Sequence, residues 1–498
     1  NTIGGTTAAA RNVIGNLSKG VSVSNSNASS VTTINGNLLG IFTDDSPIGN
    51  SSGIFANGAG TINVGSAVAG SINVISGNTQ NGIDIDSSST DTITIQNNYI
   101  GTDAAGTSAV ANNYGIEIDG GTTVNISTTL NVISGNTSAG IRVGGNSTAT
   151  TTIKDNYIGV DSTGAAALAN NLGIEISATG GSLTVGAVGE QNVISGNTLD
   201  GINIGDTVTI MSSITGNYIG VAADGATDMG NGEDGIDVNY KANIISNTIS
   251  GNTLRGVVLK AGADDTVIAG NIIGLDAVEV TTVANGNYGI EVVDTVTGAI
   301  IGNSAAGGNT ISGNTLSGIL VGTGATATIV RNTIQSNGST LLPNGFYGGG
   351  IVISAGTATV GSALAADANT INANSGQGIL IIDAASVDIK GNTISSNITG
   401  ATNTFGNGTG ILVFSNMGTV DSLTIGGTGL TDGNTIGSNA EYGIFLNISP
   451  AGGAFSTTTI QGNYIGTDSG DTDLGNTSHG LYFFDASAAG TITDMIIG

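Results

Sequence analysis

An all-β fold, a single parallel β-helix of about sixteen coils, is what this chain predicts, and three observations predict it. The heptapeptide NVISGNT recurs at Asn73, Asn131 and Asn192, with variants before and after, so the 498-residue sequence repeats itself about every 60 residues. Each repeat holds two turns that close in Gly-Ile-x-Ile or a near variant, as at Gly82 and Gly115. The apolar stretches are short, rich in Ile and Val, and parted by Gly, Asn, Ser and Thr. That is the pattern of stacked units, each too small to bury a core alone.

The closing strand recurs at sixteen glycines from Gly20 to Gly480, at spacings that alternate between roughly 21–29 and 32–37 residues. Such spacings suit three short strands and three turns per coil, the longer coils carrying a loop of about eight extra residues. In-register recurrence predicts parallel stacking, with Ile83 and Ile85 on Ile116 and Ile118, and these on Ile141 and Val143, as a β-branched core ladder. One Asn per coil, as at Asn73, Asn98, Asn131 and Asn156, forms a second column. It is expected to hold the left-handed conformation of a tight turn, with stacked amides bonding the coils above and below. Pro47, Pro343 and Pro450 all fall in candidate loops, where no ladder N–H is lost. Self-similarity from residue 1 to 498 leaves no seam, so one continuous domain of eight repeats is expected, a segment of a longer chain.

Thirty-six acids against nine bases give a net charge of −27, which opposes phosphate backbones and makes nucleic acid an unsuitable partner. The same charge keeps an exposed solenoid soluble. With no cysteine, stability must come from packing and hydrogen bonds, which fits a secreted bacterial protein. The uncharged stretch between Arg331 and Asp367 is broken by Asn, Gly, Ser and Thr, so no transmembrane segment is expected.

The opening NTIGGTTAAARNVIGN, the repeated NVISGNT, and NYIGTD at Asn98 and Asn463 together resemble the right-handed parallel β-helix repeats of large bacterial secreted and surface proteins. The resemblance covers essentially the whole chain and implies the fold more firmly than an activity. Pectate-lyase-like enzymes share that fold without these motifs.

Alternation along a strand points the x of Gly-Ile-x-Ile outward. In the first half this column holds Asp84, Glu117, Arg142, Glu175 and Asp237, with Arg142 between two glutamates. It reads either as an exposed charge ladder or as catalytic machinery, Glu117, Arg142 and Glu175 supplying the acids and the cation that a polysaccharide lyase or glycoside hydrolase needs. In the second half the column turns apolar, with Leu320, Val352, Leu380, Leu412, Phe445 and Tyr482, joined by Phe414 and Phe484 from the next outward position. A bare stripe of this size predicts a contact surface, unless the atypical insertion from Gly338 folds over it.

Asp recurs in the long-coil loops at Asp44, Asp103, Asp161, Asp224, Asp276 and Asp468. Calcium is the sharp reading, and Asp468, Asp471 and Asp473 come nearest to a ligand set; an Asp capping its own turn explains a single carboxylate per loop. His479, the only histidine, is assigned to a surface turn. The function expected is a non-enzymatic extracellular scaffold, a fibre, stalk or adhesin segment at a bacterial surface, with no cofactor. It would associate with itself or with another extracellular protein or polysaccharide through the apolar face. The alternatives are the polysaccharide-degrading enzyme and a calcium-stabilised adhesin.

Overall fold

The computed structural model describes residues 1–24, 27–58, 60–86, 92–120, 123–145, 147, 149–340, 342, 348–397, 408–416, 418–486 and 491–498. Pro343 and five other residues of the insertion after Gly338 lie outside them. Among the described residues there is no α-helix, and the strands fall into three sheets of 18, 16 and 16 strands. Their ladders run parallel, and successive strands of the chain go to different sheets, except Thr491–Ile492 and Met495–Ile497, which share one. This is a right-handed parallel β-helix, the hand that crossovers between parallel strands adopt. No helix among the described residues is long and apolar enough to cross a membrane.

The chain forms two compact units, residues 1–253 with 276–278 and residues 254–275 with 279–498. In the first, the Gly-Ile strands include Ser52–Ala56, Asn81–Ile85, Tyr114–Ile118, Ala139–Val143 and Leu172–Ile176. Their register is the expected one: Ile83 and Ile85 sit on Ile116 and Ile118, and these on Ile141 and Val143, all buried. In the second unit the Gly-Ile strands include Tyr288–Val292, Ser317–Val321, Ile351–Ser354, Ile379–Ile382, Ile411–Ser415, Ile444–Ile448 and Leu481–Asp485.

Glycine opens these strands for a steric reason. A Cβ on Gly115 would lie 2.5 Å from the Gly140 carbonyl oxygen and 2.9 Å from Cγ2 of Ile133, so any side chain there pushes a backbone or a core residue aside.

Asparagine ladders pin both sides of the sheet that carries NVI. Asn98 donates from Nδ2 to the Val64 and Gln96 carbonyls, at 2.9 and 2.8 Å, and to Oδ1 of Asn131 at 3.0 Å. Its own Oδ1 accepts from Asn73 Nδ2 at 2.8 Å, and every polar atom of the buried amide has a partner. A second column, Asn78, Asn112, Asn136, Asn170 and Asn197, repeats the device. It is built from the last Asn of NVISGNT and an Asn of the long coils, and the repeat motif alone does not reveal it. The left-handed conformation falls not on the ladder asparagines but on the residue before them, as at Gly36, Asn97, Asp155 and Gly216 in the long coils and Gly77, Gly135 and Gly196 beside the second column. The ladder side chain reaches across the turn while its neighbour takes the positive φ.

Extra residues of the long coils form small antiparallel hairpins, bridged at Thr102–Ala109, Val160–Ala167 and Val221–Asp228. These touch every second coil: Ser162 N–H donates to the Gly106 carbonyl and Ala223 N–H to that of Gly164.

Candidate functional site

The outward face of the Gly-Ile sheet in the first unit brings Asp84, Glu117, Arg142 and Glu175 into one row. Strand alternation buries Ile116 and Ile118 and turns Glu117 outward; register then sets Asp84 on one side of it and Arg142 on the other, with Glu175 beyond. Arg142 is the hub. Its Nη1 pairs with Oε1 of Glu117 and lies 3.7 Å from Oδ1 of Asp119, while Nε lies 3.7 Å from Oε1 of Glu175. Its guanidinium stands over the Tyr114 ring, 5.5 Å from the centroid. Asn81 donates to the other oxygen of Glu117 at 2.5 Å, and Ser52 Oγ donates to Asp84 at 3.2 Å.

The face is half-buried, and its proton affinities follow. Burial raises the carboxyls of Asp84, Asp119 and Glu175 above the ordinary range; Arg142 opposes this at Asp119 and Glu175, and Glu117 adds repulsion to all three. Burial also raises the Tyr114 hydroxyl, with Glu175 adding to it. For Arg142 burial works the other way, but the bond and charge of Glu117 outweigh it and hold the guanidinium more firmly protonated.

Two features escaped the motif reading. The residue before each closing glycine also faces the charged column, which is how Asn81 and Tyr114 enter the site; the pattern was available one position to the left of Gly-Ile-x-Ile. Asp200 occupies the same position two coils on from Ala139 and is buried, accepting from Asn203 Nδ2 at 2.9 Å and from Asp234 N–H at 3.0 Å. Burial pushes its carboxyl up to about 6. Beside the face, a cavity of about 540 Å³ opens between two hairpin loops, lined among others by Asp45, Thr79, Asn113 and Thr137. Asn113 accepts from Ser138 Oγ at 2.8 Å, joining cavity and face.

The apolar half of the column does not form the bare stripe expected of it. Val352, Leu380, Leu412 and Phe445 are buried in one cluster with Leu342 of the insertion, with Leu320, Phe414, Tyr442 and Tyr482 packed half-buried around them. Leu342 of the insertion and the neighbouring side chains thus cover Val352, Leu380, Leu412 and Phe445, which outward alternation alone would expose. Phe484 is 44 % exposed, and Tyr482 stacks on Tyr442 with centroids 5.2 Å apart. His479 lies against both tyrosines and shares a hydrogen bond with Ser478 Oγ at 2.7 Å. On the same sheet Arg255 pairs with Glu291 at 2.6 Å, and burial pushes the nearby Tyr288 hydroxyl up to about 12.

The loop aspartates close their own turns. Asp103 Oδ1 accepts from the N–H groups of Thr107 and Ser108 at 2.8 and 3.2 Å, and Asp468 Oδ1 from those of Gly470 and Thr472 at 2.8 and 3.0 Å. Asp473 caps Gly475 in the same manner. Among the described residues no group of three or more Asp, Glu, His or Cys is placed to hold a metal ion, so Asp468, Asp471 and Asp473 do not converge.

No family model and no curated protein matches the chain. Solved structures similar to it include the periplasmic alginate epimerase AlgG, at 12% identity and a TM-score of 0.33 over 89% of this chain and 77% of that one. The tailspike protein of Dettilon is similar at 15% identity, with a TM-score of 0.34 over 79% of this chain and 62% of that one. The A-module of the mannuronan C-5 epimerase AlgE4 of Azotobacter vinelandii is 14% identical, with a TM-score of 0.27 over 93% and 91%.

Proposed function

We propose that this protein is an extracellular adhesive β-helix that binds polysaccharide along the outward Gly-Ile face of its first unit. The observation that carries the reading is the in-register row Asp84–Glu117–Arg142–Glu175, in which Arg142, Asn81 and Ser52 hold the carboxylates before any ligand arrives. A flat, preorganised strip of donors and acceptors with an aromatic side chain at its edge suits a chain of hydroxyl-rich rings, since little ordering remains to oppose binding. The adjoining 540 Å³ cavity gives a branch or substituent a place to sit. Glycan-array screening followed by calorimetry tests it: Tyr114→Ala and Glu117→Gln are expected to weaken binding at least about tenfold with the far-UV spectrum unchanged. Failure of every glycan to bind the wild type refutes it.

A second reading, hydrolysis, is favoured by one observation: Glu117 and Glu175 flank Arg142 two ladder steps apart, and burial keeps the Glu175 carboxyl easier to protonate. Two steps are about 9–10 Å, at the upper edge of the spacing used by inverting glycosidases. Glu175 would give its proton to the leaving oxygen and Glu117 would activate water. Release of reducing ends that vanishes in both Glu175→Gln and Glu117→Gln is the expected sign; no release from any bound glycan refutes this reading and leaves adhesion standing.

A further inference from the structure

We infer that a second face of the first unit, the outward side of its part of the 18-stranded sheet, binds ice. The inference goes beyond the glycan reading and does not rest on it. The strands Thr61–Val64, Thr92–Ile95, Thr123–Ile126, Thr150–Ile153 and Ser182–Val185 read TINV, TITI, TVNI, TTTI and SLTV, and they pair in parallel with no slip of register. Their second and fourth residues are buried, so alternation sends the first and third outward, where they are half-buried or exposed. Two ranks of Thr, Ser and Asn result. Neighbours lie about 4.8 Å apart along a rank and about 6.6 Å from one rank to the other. Both repeats are close to those of the water oxygens on a prism face of ice, and the five strands extend the match over about 19 Å.

The side chains suit a neutral lattice of donors and acceptors. Neither rank holds a charge, while the same coils send Asp84, Glu117, Arg142 and Glu175 to the Gly-Ile sheet. A strongly hydrated charge would impose its own water shell and break the order of a lattice beside it. Ser182 Oγ donates to Thr150 Oγ1 at 3.4 Å; otherwise the side chains of both ranks make no hydrogen bond among the described residues, so their donors and acceptors are spent on water. Threonine is stiff at χ1, which fixes methyl and hydroxyl over the ladder, so little ordering remains to oppose binding. A crystalline polysaccharide also presents a flat repeat, but neither rank offers an aromatic ring on which a sugar could stack. In the second unit the corresponding rank is broken by Ile300 and Asp388, which confines the unbroken array to the first.

The test is made on the full chain with ice as the probe: single crystals in a nanolitre osmometer, and recrystallisation in frozen sucrose. The wild type is expected to facet the crystals, to open a gap between their melting and freezing temperatures, and to stop small grains from coarsening. Thr94→Lys and Thr152→Lys, each setting a charge in the half-buried rank, should abolish the gap while the far-UV spectrum and melting temperature stay those of the wild type. Val188→Lys adds the same charge on an exposed turn outside the array and should leave the gap intact. Unfaceted crystals with no gap and no arrest of coarsening by the wild type overturn the inference, as do lysine variants in the array that act like the wild type. Retention on chitin or cellulose powder without any effect on ice also overturns it and gives the face to a polysaccharide instead.

Discussion

Replacing Asn131 by alanine tests whether the asparagine ladders, rather than the isoleucine columns alone, hold the coils together. Asn131 is fully buried; its Oδ1 accepts from both the backbone N–H and Nδ2 of Asn98 at 3.0 Å, and its Nδ2 donates to the Ile95 carbonyl at 3.1 Å and to Oδ1 of Asn156 at 2.8 Å. After truncation some of these atoms keep a partner: Asn98 Nδ2 still reaches Val64 and Gln96, and the Ile95 carbonyl still accepts from Ser127 N–H. The Asn98 N–H and Asn156 Oδ1 lose theirs. Each orphaned buried group costs about 1–3 kcal/mol, so Asn131→Ala should cost about 2–6 kcal/mol. Denaturant unfolding followed by far-UV circular dichroism gives the loss, and hydrogen exchange locates it, since a solenoid opens coil by coil. Asn113→Ala, which removes only half-buried bonds to Thr137 and Ser138, serves as the control and should cost less than about 1 kcal/mol. Equal costs for the two variants would refute the reasoning.

Gly115→Ala should destabilise by about 1–3 kcal/mol through overpacking against the Gly140 carbonyl, measured by the same unfolding curves; a neutral result would mean the corner yields freely. Asp200, with its folded carboxyl at about 6 against an unfolded value near 4, favours the native state when protonated. Its contribution should improve as pH falls from about 7 to 4, and Asp200→Asn should raise the melting temperature at pH 7 but not at pH 4. The turn-capping Asp103 and Asp161 have the opposite sign: burial opposes it, but their N–H and hydroxyl donors lower the folded carboxyl. That stability is present above about pH 4 and is lost as pH drops through the folded value, so Asp103→Asn should lose its penalty in acid. Leu380→Asp should unfold the second unit rather than merely change association, because it buries a charge in a closed apolar cluster; a folded variant with altered association on size-exclusion chromatography would contradict this.

The coil spacing, the Gly-Ile strands and the isoleucine register were legible because each coil must repeat its neighbour for parallel ladders to form, and that demand is written as a period. The turn caps were legible too, since Asp103 and Asp468 act within their own loops. Alternation also turned Glu117 and Arg142 to the same face. It left open whether the apolar stripe is bare or covered by the insertion, because alternation says which way Leu380 points and nothing of what Leu342, in that insertion, does above it.

Sequence by itself, then, determined the coils, their register and which side chains leave the core, all consequences of local periodicity. Only the tertiary structure decided that Asn81 and Tyr114 join the charged row, that Asp119 Oδ1 is left without a donor, and that the apolar column closes on itself. These depend on where side chains from different coils and insertions end up within a few ångströms of one another, and the repeat, being the same in every coil, carries no record of its exceptions.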